Sequence, residues 1–289
     1  MTSAEDSTHD DLRTRNHRLY DGPIAFSDWT GLRYLRSAPD ETRMAMPFAP
    51  RLADARGVIG PGIVATLFDT CAGQVAISHY GWQAQVATIS LQPSFVSPPP
   101  PGAGLLASGR VVAADDGRVS IRVRVTADTD PDHLVCETSG RMIVTLRLEP
   151  RDDHRTWPTP AVDHPGPFLG PDDLAVRREA GGVTAHFARR PHYMGNTTRG
   201  ALHGGMVAAS LLETIAHLPA HGGGRVAPLD VQIDYLRPAR DLDLVVRAEM
   251  HLSGSRVGFC SALLEQDLPG RGPTPIARLS GTVAISRHD

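Results

Sequence analysis

The 289-residue sequence has few cysteines, almost no surplus charge and no long apolar run, and each shortage closes off a class of function. Its three cysteines, Cys71, Cys136 and Cys260, sit singly in apolar segments. That pattern suits reduced, buried thiols in a cytoplasmic protein and supplies neither a disulfide framework nor a metal motif. With 29 basic against 32 acidic residues the formal net charge is -3. Both signs are scattered, so no field is expected that would draw in nucleic acid or an anionic membrane, although a local basic cluster could still hold a phosphate. No apolar stretch reaches transmembrane length, and the opening segment MTSAEDSTHDDLRTRNHR lacks the apolar centre of a signal peptide. Residues 1–20 therefore read as a mobile tail. Dinucleotide-binding and P-loop signatures are absent, as are metal-ligand sets.

What the sequence does contain is itself, twice. SGRMIVTL at 139–146 matches SGTVAIS at 280–286, GRVSIRVRV at 117–125 resembles SRVGFCSAL at 255–263, and ISLQPSFVSPP at 89–99 resembles DVQIDYLRPAR at 230–240. The offsets stay between 138 and 144 over half the chain, which is the mark of a duplicated domain. The length also suits two domains. A segment rich in proline and charge, RDDHRTWPTPAVDHPGP, separates the copies. The expected layout is a tail at 1–20, a first domain at 21–150, a linker at 151–164 and a second domain at 165–289.

Each copy reads alike. A glycine-rich turn leads into a strongly apolar stretch, IVATLFDTCAGQVAIS in one copy and MVAASLLETIAHL in the other, with a narrow polar stripe at helical spacing. One or two strands precede this helix, and three or four strands with β-branched alternation follow it. An antiparallel sheet curled around one apolar helix satisfies both patterns, because each element gives the other its buried face. The fold class is α+β. Aligning the polar stripes pairs Asp69 with Glu213 and Thr70 with Thr214. Both acids lie among apolar neighbours that would raise a carboxylate's pKa.

The order of strand, glycine turn, long apolar helix and four antiparallel strands resembles the hotdog fold. GALHGG followed by a helix that carries an acid, with the strand VQIDYLRPA, resembles the PaaI-type acyl-CoA thioesterases. The resemblance covers about residues 25–148 and 165–287 and implies a tandem, or double, hotdog whose halves pair within one chain. It implies hydrolysis of an acyl-CoA thioester, with coenzyme A as part of the substrate and no separate cofactor. It also leaves room for a homodimer of tandem hotdogs. In that family each site is shared, the HGG turn coming from one hotdog and the acid from the helix of the other. Carried over, His203, Gly204 and Gly205 face Asp69 in a complete site, with Asn196 and Thr70 helping to place the thioester and the water. The reciprocal site joins Glu213 to Gly60, Pro61 and Gly62; it lacks the histidine and is expected to be degenerate. Glu213 falls ten residues after His203 where nine is usual, so it is expected to point differently.

Thioester hydrolysis needs a base or nucleophile and donors for the developing oxyanion. Asp69 is expected to act as general base on a water, with direct attack to form a mixed anhydride as the alternative, and the N–H of Gly205, helped by Gly204, is expected to be the oxyanion donor at the start of a helix. Arg199, Arg237 and Arg240 are expected to meet the phosphates of coenzyme A. Phe68, Trp82, Phe95 and Tyr235 are candidates to shape the acyl pocket. The alternatives are a non-catalytic acyl-CoA-binding protein and a hotdog hydratase or dehydratase, whose usual aspartate and histidine pair is not found in order.

Overall fold

A computed structural model describes residues 3–149, 168–169, 173–196 and 198–286. The expected linker at 151–164 lies outside the described residues. The first half contains helices α1 (Ser3–Tyr20) and α2 (Ala25–Thr30), strands β1 (Arg33–Ala38) and β2 (Glu41–Met46), and helix α3 (Pro61–His79). Strands β3 (Ala84–Phe95), β4 (Leu105–Ala114), β5 (Arg118–Ala127) and β6 (Leu134–Arg147) complete it. The second half repeats the plan. It has β7 (Leu174–Glu179), β8 (Gly182–Phe187), the short pair β9 (Met194–Asn196) and β10 (Ala201–Leu202), and helix α4 (Gly204–Ala216). Four long strands close it, β11 (Arg225–Tyr235), β12 (Leu244–Ser253), β13 (Val257–Leu268) and β14 (Gly272–Ser286).

Twelve strands form one sheet in the order β1-β2-β4-β5-β6-β3-β11-β14-β13-β12-β8-β7. The order is a palindrome about the β3–β11 junction, so each strand of one half has its counterpart in the other. The repeated segments SGRMIVTL and SGTVAIS become β6 and β14, each lying between the two strands that correspond in the other half. All named strand pairs of the large sheet are antiparallel. This is the tandem hotdog: two helices, each held by its own half of one continuous sheet.

The helices form where the apolar stretches are. Pro61 stands at the first turn of α3, where a missing N–H costs nothing and the fixed φ suits the helix. Fifteen of the nineteen residues of α3 are buried, which is why it reads as apolar nearly all round. Its neighbour α4 packs directly against it, and one hydrophobic core runs through both halves.

The segment expected to be a mobile tail is the helix α1. It is polar, and only Leu12, Asn16, His17 and Leu19 of its described side chains are buried. Specific bonds hold it down: Arg13 donates to Asp28 at 2.7 Å, Asn16 to Gln74 at 2.9 Å, and Gln85 to the Leu19 carbonyl at 2.7 Å. A helix anchored by a few polar contacts leaves no apolar stripe in the sequence, which accounts for the error.

Candidate active site

The site is assembled where the N-terminus of α4 meets the middle of α3. Asp69 projects from α3 and is 5% exposed. His203 is the N-cap of α4, and its Nδ1 accepts a hydrogen bond from the Gly205 N–H at 2.9 Å. An imidazole that accepts at Nδ1 carries its proton on Nε2 when neutral. The Nε2 lies 3.4 Å from the Thr70 hydroxyl, whose own proton goes to the Thr66 carbonyl at 2.7 Å. Phe26 of α2 packs on the imidazole with ring centres 5.0 Å apart, so the N-terminal segment helps to hold the histidine of the other half.

The two glycines are required by how closely the helices approach. A Cβ on Gly204 would lie 2.7 Å from Asp69 Oδ2, and one on Gly205 would lie 2.7 Å from the Thr66 Cα. Any side chain at these positions would push the carboxylate or the α3 backbone away from the helix end. The carboxylate thus sits against the positive end of α4, held by Thr88, whose hydroxyl donates to Oδ1 at 2.8 Å.

The electrostatics follow from enclosure. Burial raises the Asp69 pKa to about 6, with hydrogen bonds from Thr88 and the Gly205 N–H opposing it. Burial lowers His203 to about 4, so the imidazole is neutral near pH 7. One expectation is corrected here. The Gly205 N–H, expected to stabilise the oxyanion, is spent on His203 Nδ1 and Asp69. The Gly204 N–H, in the same first turn, has no partner among the described residues.

The reciprocal arrangement exists in outline. Glu213 of α4 reaches the start of α3, where a Cβ on Gly62 would meet its Oε1 at 2.5 Å and one on Gly60 at 3.6 Å. Its pKa rises to about 7 through burial, opposed by a bond from the Gly62 N–H. The extra residue of spacing shows in the pairing: Asp69 abuts the first residue of α4, Gly204, whereas Glu213 abuts the second of α3, Gly62. Gly60 caps α3 without any side-chain bond, and Pro61 has no N–H, so nothing replaces His203 there.

A cavity of about 610 Å³ opens on Asp69, Thr70, Asn196, His203 and Gly204. Asn196 accepts from the Arg199 N–H at 2.9 Å through its side-chain oxygen, which fixes the turn before β10. Arg199, Arg237 and Arg240 are exposed and stand around the same cavity. Arg240 donates to the Arg199 carbonyl at 3.2 Å and Arg237 to the Pro275 carbonyl at 2.9 Å, contacts that leave other guanidinium N–H groups free to meet an anion.

Known sequences decide the family. The Thioesterase superfamily profile matches residues 57–136, and that of the Acyl-CoA thioesterase N-terminal domain matches residues 193–284. The chain carries two thioesterase-superfamily hotdog domains in tandem. A protein of Halobacterium salinarum with a provisional esterase designation is 35% identical over 98 residues, which cover 31% of this chain and 64% of that relative. The match thus spans less than two thirds of the curated relative. Among solved structures, the tesB protein of Mycobacterium avium subspecies paratuberculosis has a TM-score of 0.60 at 14% identity, covering 88% of this chain and 96% of that one. The acyl-CoA thioesterase II TesB2 of Mycobacterium marinum has a TM-score of 0.57 at 14% identity, covering 92% and 98%. Both are similar in fold over nearly their whole length.

In this tandem hotdog, sequence reasoning passed over Thr88. It lies in an ordinary alternating strand, ATIS, with no motif to mark it. Tyr235 does line the cavity, and its hydroxyl donates to the Gly204 carbonyl at 3.2 Å. Phe68 is buried in the core, and Trp82 and Phe95 pack against that core; none of the three lines this cavity. No helix among the described residues is long and apolar enough to cross a membrane, and no cluster of His, Cys, Asp and Glu among them could hold a metal ion.

Proposed function

We propose that the tandem hotdog hydrolyses an acyl-CoA thioester at the composite site formed by Asp69 of the first half and His203 and Gly204 of the second. The observation that carries this reading is the placement of a buried carboxylate against a helix N-terminus whose Gly204 N–H has no partner among the described residues, in a cavity rimmed by three arginines. Such a site offers a base, an oxyanion donor and a place for the phosphates of coenzyme A.

Ionised Asp69 takes a proton from a water as that water attacks the thioester carbonyl carbon. Thr88 holds Oδ1 and the Gly205 N–H also bonds the carboxylate, so a lone pair that these two donors leave over takes the water's proton. The carbonyl oxygen gains the electron pair and is met by the Gly204 N–H and by the Nε2 proton of neutral His203. On collapse the C–S bond breaks, the thiolate leaves with the pair and takes from the Asp69 carboxyl the proton that came from the water. A thiolate is a good leaving group, so no strong general acid is needed, in keeping with a histidine lowered to about 4. Thr70 and Asn196 position the reactants, and Arg199, Arg237 and Arg240 take the phosphates. Glu213 with Gly60 and Gly62 is a vestige of the second site.

The test is thiol release from short, medium, long and aryl acyl-CoAs by wild type, Asp69→Ala and Glu213→Ala. Release that is lost in the first variant and kept in the second is the expected result. Wild-type protein that binds an acyl-CoA tightly but releases no thiol from any would replace the hydrolase with a binding protein.

A further inference from the structure

The cavity continues well beyond the reacting groups. Asp69, Thr70, Gly73, Gln74 and Ile77 all line it, and these positions share one face of α3 over two turns. At about 1.5 Å per residue, the eight steps from Asp69 to Ile77 give a channel of roughly 12 Å running away from the site along the helix. Gly73 fronts this channel: a Cβ added there would meet nothing within 4 Å. Such a glycine within a helix costs stability relative to alanine, and no packing contact explains it.

The far end of the channel lies under α1, and it is polar. Asn16 and Gln85 line it, 2% and 7% exposed respectively. Main-chain carbonyls of α1 fix the orientation of both amides. The Asn16 Nδ2 donates to the Leu12 carbonyl at 3.0 Å and to Gln74 Oε1 at 2.9 Å, and the Gln85 Nε2 donates to the Leu19 carbonyl at 2.7 Å. Their side-chain oxygens accept from nothing among the described residues. Neither oxygen is sealed off: both residues line the cavity, and a ligand that reaches this end can offer each amide oxygen the donor that the protein does not supply.

Resting on the thioesterase reading, we propose that this channel is the acyl subsite and that it selects a medium-length acyl group carrying a hydrogen-bond donor, such as a hydroxyl, at its distal end. Asn16 and Gln85 receive that donor, and the open face at Gly73 lets the chain pass. The α1 helix is then the specificity wall of the enzyme: it closes the channel and supplies or orients both acceptors. A ligand lacking the donor displaces the water that these oxygens can otherwise meet and gives no hydrogen bond in return.

The test separates binding from chemistry by using non-hydrolysable ketone analogues of coenzyme A thioesters, with a methylene between carbonyl and sulfur. Dissociation constants are measured for the acetyl, octanoyl and omega-hydroxyoctanoyl analogues. Wild type should bind the hydroxylated analogue about tenfold more tightly than the octanoyl one, the size of one hydrogen bond to an acceptor in the cavity wall. Asn16→Leu should abolish or reverse that preference. Gly73→Leu has room to fold and should weaken both medium-length ligands at least tenfold relative to the acetyl one. Equal wild-type affinities for the two medium-length analogues, or an unchanged length preference in Gly73→Leu, would overturn the proposal. If the analogues behave as expected while the true thioesters are not hydrolysed, the reaction falls and the channel stands.

Discussion

Asp69 Oδ2 and His203 Nδ1 lie 3.7 Å apart, yet they share no proton. The ring nitrogen that faces the carboxylate is an acceptor, already bonded to the Gly205 N–H. The pair is therefore not a base oriented by an acid. In the proposed reaction the carboxylate is the group that moves protons, and the histidine is a neutral donor through its other nitrogen.

That assignment makes a pH profile diagnostic. kcat/KM should rise with pH through about 6, as Asp69 ionises, with a single ionisation on the acid limb. His203, lowered to about 4, should contribute no second limb between pH 5 and 8. A profile that instead falls as an imidazole near its ordinary pKa loses its proton would show that the charged histidine is needed.

Asp69→Asn should cost at least a hundredfold in kcat, and it should also stabilise the fold. The sign follows from linkage. A carboxyl whose pKa is raised in the folded state favours folding when protonated, and that contribution is lost as pH rises from the unfolded value through about 6. Asparagine keeps the bond from Thr88 without the buried charge. The gain above pH 7 should be on the order of 2 kcal/mol and should vanish below pH 4, as thermal unfolding of both proteins across pH would show.

The two glycines of the turn should fail differently. Gly204→Ala directs its methyl at a carboxylate oxygen, so activity should drop at least tenfold with a modest change in Tm. Gly205→Ala directs its methyl at the Thr66 Cα, which is backbone, so the fold itself should lose about 1–3 kcal/mol. Chemical denaturation beside steady-state kinetics distinguishes the two.

Glu213→Gln should leave kcat/KM within about twofold, because the α3 turn has no histidine and Pro61 offers no N–H. It should raise stability above pH 7 more than below, since the glutamate's pKa is itself raised to about 7. A large loss of turnover with intact folding would mean that the second site works.

The parts of this architecture that could be read from the sequence are those where burial imposes a period. α3 and α4 announce themselves by length and apolarity, and the long central strands by alternation of residues such as Val119, Ile121, Val123 and Val125, all buried on one face. Asp69 and His203 stood out because an acid in an apolar helix and a histidine before two glycines are both uncommon. The features that escaped notice lack such a signature. The edge strands β1 and β7 are short and charged, α1 is held by individual hydrogen bonds, and Thr88 acts on Asp69 from a strand position like any other. The Gly205 N–H was misjudged for a different reason: only geometry reveals that the histidine beside it takes the proton first.

The palindromic sheet places the acid and the helix end that receives it on one polypeptide. A site of this kind made by two separate chains would be lost on dilution, with half-occupancy set by a dissociation constant. Here the encounter is intramolecular, and its effective concentration is fixed by the covalent connection. Specific activity should therefore be flat from nanomolar to micromolar protein. Because each half is encoded once, a change in one turn need not be matched in the other: one copy can keep its histidine while its twin, relieved of duty, settles for a proline.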